Sequence, residues 1–273
     1  MAQPIEIICV GNELLIGKTL NTNAQWLAKR AKTLGLNTRR ITIVGDNVDE
    51  ISSAVREAIQ RNPRFLITTG GLGPTFDDKT LEGIAKALEC KLEINEEALK
   101  MVKEKYRKYA EEHKMKSELT PPRVKMAKLP EGAKPLFNPI GTAPGVIMEH
   151  EDATIVALPG VPSEMKAIFD ESVASLLKHV AGDVTFFETN IEVTGVIESE
   201  IVPLIDQVMH NNPYVYIKSH PKGAERISRI ELHFSTTDKN SGVARKRVSK
   251  AFVQLSELIQ KKGGKIRPIK TEN

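Results

Sequence analysis

Apolar positions follow two rhythms through the first two-thirds of this chain. Short unbroken runs rich in β-branched residues occupy 5–10, 40–44 and 65–69, each closed by a glycine, as buried parallel strands are. Between them apolar residues recur every three or four positions. Ala24, Leu27, Ala28, Ala31 and Leu34 mark one helix, started by Asn21-Thr22-Asn23 and stopped at Gly35. Ile51, Val55, Ala58 and Ile59 mark another over 48–61, and a third is predicted over 79–88, its N-terminus capped by Asp77 or Asp78. Strands alternating with helices predict a parallel sheet flanked by helices.

A charged helix with a thin apolar stripe (Ala98, Met101, Val102, Tyr106, Tyr109) is predicted from Glu96 to about Lys116, packing on one side, with a second subunit as one candidate partner. It is broken at Thr120-Pro121-Pro122. Residues 130–144 look like loop, 145–149 and 154–158 like two strands joined by a polar turn, and 162–178 like a closing helix. After Gly182 the order changes to strand 185–193, helix 199–209, strands 214–218 and 229–235, and a basic amphipathic helix 242–260. The reading is therefore a larger α/β domain over residues 1–178 and a small α+β domain over 179–273.

Composition adds little to this frame. The 273 residues are 40% apolar and 27% charged, as in ordinary globular proteins, with abundant Lys and Glu that would suit a thermophile. The net charge of +4 does not by itself imply nucleic acid. Residues 236–270 carry ten Lys or Arg against two Asp or Glu, while the rest is close to neutral. Cys9 and Cys90 form no metal or disulfide spacing and are expected as free thiols. No leader-like segment opens the chain and no run reaches the ~18 apolar residues of a membrane span. A cytoplasmic protein without membrane partners is expected.

The chemistry concentrates where strand 65–69 meets its helix, in Thr68-Thr69-Gly70-Gly71-Leu72-Gly73-Pro74-Thr75-Phe76-Asp77-Asp78-Lys79-Thr80. A strand-to-helix turn gathers backbone amides and the helix dipole, which suits a phosphate. Gly70, Gly71 and Gly73 would let the backbone approach it, and Thr68, Thr69, Thr75 and Thr80 offer hydroxyls. The spacing is neither the dinucleotide fingerprint nor the P-loop. Adjacent Asp77 and Asp78 would repel an anion unless a cation or a reacting electrophile lay between. Glu13 and Asp46, after the first two strands, reach the same carboxyl edge of the sheet. So do the loops 138–145 and 158–165, although Glu164 at a helix start is equally explained by the dipole. The six histidines show no ligand spacing, and Trp26 reads as packing.

Taken together, Gly11-Asn12-Glu13-Leu14-Leu15-x-Gly17, Asn21-Thr22-Asn23-Ala24, Val44-Gly45-Asp46, 68–80, 138–145 and 158–169 resemble the N-terminal domain of the competence-damage-inducible CinA family. That domain belongs to the molybdopterin-binding (MoaB/MogA/MoeA-like) superfamily. The resemblance spans residues 5 to 178, and 185–267 looks like the KH-type domain that follows in CinA proteins. The family's nicotinamide mononucleotide deamidase portion has no counterpart in these residues, so deamidation is not expected.

The resemblance implies a metal-dependent pyrophosphatase acting on ADP-ribose or a related nucleotide, with Mg²⁺, Mn²⁺ or Co²⁺ as divalent cation. Asp78, Asp46 and Glu13 would be catalytic, and Asp46, Asp77 and Asp78 would hold the metal. Thr69, Gly70, Gly71, Leu72, Gly73, Thr75 and Thr80 would bind phosphate. Asn12, Asn21, Asn23, Asn138, Gly141, Thr142, Gly160 and Glu164 would bind the rest of the substrate. In the wider superfamily the same loop holds molybdopterin phosphate, so molybdopterin binding or adenylyl transfer is the alternative; Leu72, where molybdopterin enzymes usually carry Thr, favours the CinA branch. A homo-oligomer, dimer or trimer, is expected. Nucleic acid is not expected as a partner, because no G-x-x-G loop joins helices and aromatic platforms are lacking; a non-catalytic nucleotide or RNA binder is the third reading.

Overall fold

The computed structural model describes residues 4–114, 118–182, 184–222 and 229–269. It divides into two compact units, Met1–Lys32 with Leu36–Ala181, and Thr33–Gly35 with Gly182–Asn273.

In the first unit β1 (Pro4–Val10) is followed by a one-turn helix α1 (Asn12–Leu15), then α2 (Thr22–Thr33), β2 (Asn37–Val44), α3 (Val48–Gln60), β3 (Phe65–Thr69) and α4 (Thr80–Ala87). Next come β4 (Leu92–Ile94), α5 (Glu96–Glu112), α6 (Pro121–Lys125), β5 (Lys128–Pro130), β6 (Lys134–Leu136), β7 (Gly145–His150), β8 (Ala153–Leu158) and α7 (Pro162–Ile168). A single π-turn, Phe169–Val173, joins α7 to α8 (Ala174–Ala181). The main sheet runs β2-β1-β3-β8-β7-β6. Its first four strands are parallel, and β7 and β6 add antiparallel. The fold is thus mixed α/β with a mostly parallel sheet.

β1, β3 and β8 are the buried centre. Every residue of β3 and β8 is buried, as suits their charge-free, mostly apolar runs. β1 is buried after Pro4 and includes one charged residue, Glu6, 2% exposed; Arg61, just past α3, grips both its carboxylate oxygens at 2.7–3.2 Å. Asn47 caps α3 by accepting from the Asp49 and Glu50 amides. The apolar faces of α3, α4 and α5 close on this sheet through Ile51, Val55, Ile84, Ala98 and Val102.

Several elements depart from the sequence reading. α4 begins at Thr80 after Lys79, and no side chain caps it, so neither aspartate serves as its cap. α5 ends at Glu112; the expected end near Lys116 lies outside the described residues. Pro121 and Pro122, read as breakers, open α6, where their missing N–H groups cost nothing. The segment 130–144, read as loop, contains β6.

The second unit contains β9 (Thr185–Thr194), α9 (Glu198–Asn211), β10 (Tyr216–Lys222), β11 (Arg229–Asp238), α10 (Ser241–Lys261) and β12 (Lys265–Pro268). Its antiparallel sheet runs β10-β11-β9-β12. The core of the unit joins Ile191, Val193, Ile217, Leu232 and Phe234 to the inner faces of α9 and α10. Among the described residues no helix is long and apolar enough to cross a membrane.

Candidate functional site

The strands β1, β2, β3 and β8 end side by side, and the loops that leave them enclose a cavity of about 580 Å³. That size suits a ligand rather than trapped water. Glu13, Asp46, Asp77, Asp78 and Glu164 all reach its wall, so the acids expected at the carboxyl edge do converge. Gly70, Gly71, Leu72, Gly73 and Thr75 form the wall's centre, with Asn21, Asn23, Gly141, Thr142 and Gly160 around them.

The glycine loop owes its course to two backbone conformations that side chains resist. Gly70 (φ 105°) and Gly71 (φ 66°) turn the chain sharply out of β3. A Cβ on Gly70 would lie 2.2 Å from the Val10 carbonyl oxygen, so the loop presses directly on the end of β1. The turn is then pinned. The Gly70 amide donates to the Leu158 carbonyl at 3.0 Å, and the Thr80 hydroxyl donates to the Gly70 carbonyl at 2.7 Å.

Asp77 and Asp78 fold back on Thr75. The Thr75 amide donates to Asp78 Oδ2 at 2.8 Å, and the Thr75 hydroxyl contacts a carboxylate oxygen of each aspartate. A hydroxyl has one proton to give, so it serves one carboxylate at a time, and each aspartate also has a backbone amide donor. Thr75 above all, with the Asp77 backbone amide, holds the Asp77 carboxyl below the usual carboxylate range, and Lys125 and Lys79 reinforce this. Asp77 is therefore anionic at neutral pH.

The other acids are placed by their neighbours. Asp46 Oδ2 accepts from the Asn12 amide at 2.9 Å while the Asp46 amide donates to Asn12 Oδ1 at 3.3 Å, which ties the ends of β1 and β2 together. Glu164, in the first turn of α7, accepts from Asn138 Nδ2 at 2.7 Å. Glu13 stands exposed on the wall.

Four expected ligand-binding side chains do other work. Thr80 is buried, its hydroxyl spent on Gly70, so it shapes the loop instead of touching a phosphate. Thr69 reaches the wall, but its buried hydroxyl donates to the Pro159 carbonyl and accepts from Asn23 Nδ2. Asn138 is buried behind the wall, holding Ala143, Ile140, Gly141 and Glu164. Asn12 braces Asp46 without reaching the wall itself. Thr68, also expected to offer a hydroxyl, is fully buried.

Among the described residues, no three His, Cys, Asp or Glu side chains converge as a ready-made metal cage. Asp46, Asp77 and Asp78 share a wall but do not make a complete ligand set on their own.

Sequence reasoning missed Lys125, Tyr106 and Met126. Lys125 Nζ donates to the Thr75 and Asp78 carbonyls, so one ammonium clamps both sides of the aspartate pair from 47 residues away. Tyr106 of α5 and Met126 after α6 line the cavity. Nothing near these residues in sequence signals the site; only the path of α5 and α6 brings them there.

Against this geometry, residues 6–179 match the family described as "probable molybdopterin binding domain". The chain belongs to that family. Archaeal relatives extend the likeness over almost the whole length. A Sulfurisphaera tokodaii protein is 45% identical over 262 residues, covering 96% of this chain and 97% of its own. A Pyrobaculum aerophilum protein is 47% identical over 268 residues, covering 97% of each. A solved structure from Thermoplasma acidophilum, described as the protein CinA with unknown function, is 43% identical with a TM-score of 0.57, covering 62% of this chain and 95% of its own. The site described above therefore lies within the residues that define this molybdopterin-binding family.

Proposed function

We propose that this chain hydrolyses the pyrophosphate bond of ADP-ribose or a related nucleoside diphosphate compound with the help of a divalent cation. The observation that carries the reading is the pairing of Asp77 and Asp78 on one hydroxyl immediately after a positive-φ glycine turn, at the wall of a cavity large enough for a nucleotide.

The carboxylates of Asp46, Asp77 and Asp78 are the donor type that Mg²⁺, Mn²⁺ or Co²⁺ would take. They offer hard oxygen, and Mg²⁺ in particular is usually held by one or two carboxylates completed by substrate phosphate and water. Asp78 and Asp46, with Asp77, would hold it, with substrate phosphate and water completing the shell. Such an ion would supply neutralisation of phosphate charge and a more acidic water.

The chain's own groups supply the rest. Backbone amides from Gly71 to Gly73 meet the phosphate oxygens on which charge grows. Glu13, exposed on the wall, takes the proton from the attacking water. The water oxygen bonds to phosphorus as the bridging P–O bond breaks, giving AMP and ribose 5-phosphate. Purified protein with each of the three metals should release AMP from ADP-ribose, and Asp78→Asn should lower kcat by about 10²-fold or more. Absence of AMP with every metal, or an unchanged rate in Asp78→Asn, would sink the reading.

The family description favours one alternative, molybdopterin binding with or without adenylyl transfer. Calorimetry with molybdopterin and with ADP-ribose separates the two. We read the second unit as a KH-type module from its β-α-β-β-α-β order. The basic residues of α10 support a solvated face more than an RNA surface: Arg247 pairs with Asp238 at 2.7 Å, and Arg245 lies over the Phe187 ring.

A further inference from the structure

We propose that Tyr106 is the ring-recognising wall of the cavity, against which the planar heteroaromatic part of a phosphate-bearing ligand stacks. The inference rests on the phosphate reading of the glycine loop and names the class of ligand that reading leaves open.

α5 is a charged helix whose buried residues Leu99 and Val102 set one stripe, and Tyr106 continues that stripe by one more turn. There the stripe leaves the core and reaches the cavity wall. The ring has neighbours that restrain it. The Arg123 guanidinium lies 3.8 Å from its centroid, within cation–π range, and Arg123 is itself tied to the Glu118 carbonyl. Arg123 thus covers part of the ring, part packs against the core, and Tyr106 still lines the cavity. A tyrosine held this way presents a rigid, flat, apolar area, so a ligand ring meets it at little ordering cost.

The neighbouring wall agrees with this use. Met126 and Leu72 are both buried at the cavity, and a thioether is a favourable contact for an aromatic ring edge. The cavity therefore has an apolar stretch from Leu72, Tyr106 and Met126, and a carboxylate-and-glycine stretch from the loop. A sugar phosphate or bare pyrophosphate uses only the second. At about 580 Å³ the space is larger than a pyrophosphate needs, and a diphosphate joined to a planar base uses both stretches.

The test is calorimetry on the full chain with Mg²⁺ present, using ADP and inorganic pyrophosphate as probes. Base–aromatic stacking of the usual strength makes ADP bind roughly 10- to 100-fold tighter than pyrophosphate. Tyr106→Ala should remove most of that advantage and leave pyrophosphate binding unchanged. Tyr106→Phe should keep it, because the ring and not the hydroxyl does the work. Tyr106→Leu, which preserves packing against the core, should behave like Tyr106→Ala and guards against simple unfolding of the smaller variant. Equal weakening of both probes, or ADP affinity indifferent to Tyr106→Leu, overturns the proposal while leaving the phosphate loop intact. Failure of wild-type protein to bind either probe removes the phosphate reading itself, and this proposal with it.

Discussion

At the scale of single residues, the loop's glycines and acids were legible, because strand-to-helix turns and paired carboxylates have local chemistry. What each hydroxyl and amide would do was not legible. Thr75 and Thr80 look alike in sequence, yet one contacts both aspartates and the other is spent on Gly70. The difference comes from burial, which no local pattern encodes. Lys125 is the clearest case, since its worth depends wholly on carbonyls some fifty residues earlier. Lys125→Met leaves two loop carbonyls without their cationic donor and frees the Thr75–Asp78 turn. We expect kcat for AMP release to fall by about 10²-fold, as slight misplacement of catalytic groups does. Stability should fall by only about 1–2 kcal/mol in urea denaturation, because the clamp is partly exposed. Lys125→Arg should recover part of the rate; an unchanged rate in Lys125→Met would show that the clamp is ornamental to the chemistry.

At the scale of elements, long periodic segments declared themselves. β3 was readable at both ends, and β7 and β8 to within a residue, because buried parallel or central strands are continuous apolar runs. Strands of three or four residues, β4, β5, β6 and β12, are too short to show any period. α6 escaped because a Pro-Pro pair can end one helix or begin the next, and only the following turn decides. The junction between β3 and α4 carries a further consequence. Gly70→Ala puts a methyl 2.2 Å from the Val10 carbonyl oxygen at a φ of 105°. Both the end of β1 and the glycine turn must shift. Equilibrium denaturation should show a loss of roughly 2–4 kcal/mol. A variant as stable as the parent would mean that the loop is free to move off β1, contrary to the tight turn described above.

At the scale of the whole molecule, the change of rhythm after Gly182 follows from two kinds of sheet. The first unit buries a mostly parallel sheet whose strand ends carry the site. The second closes an antiparallel sheet on two helices with a core of its own. Every residue assigned to the cavity wall falls between Val10 and Glu164, inside the first unit. The Thermoplasma acidophilum chain, which covers 62% of this one and is itself 95% covered, is a folded protein of about that extent. A fragment ending at Ala181 should therefore unfold in one cooperative urea transition and retain pyrophosphate affinity within about threefold of the full chain, since it keeps the loop, the acids and both their braces. Its denaturant slope should scale down with the surface that the shorter chain exposes. A non-cooperative transition would show that the first unit does not fold alone, and loss of pyrophosphate binding by a well-folded fragment would overturn the placement of the site in the first unit.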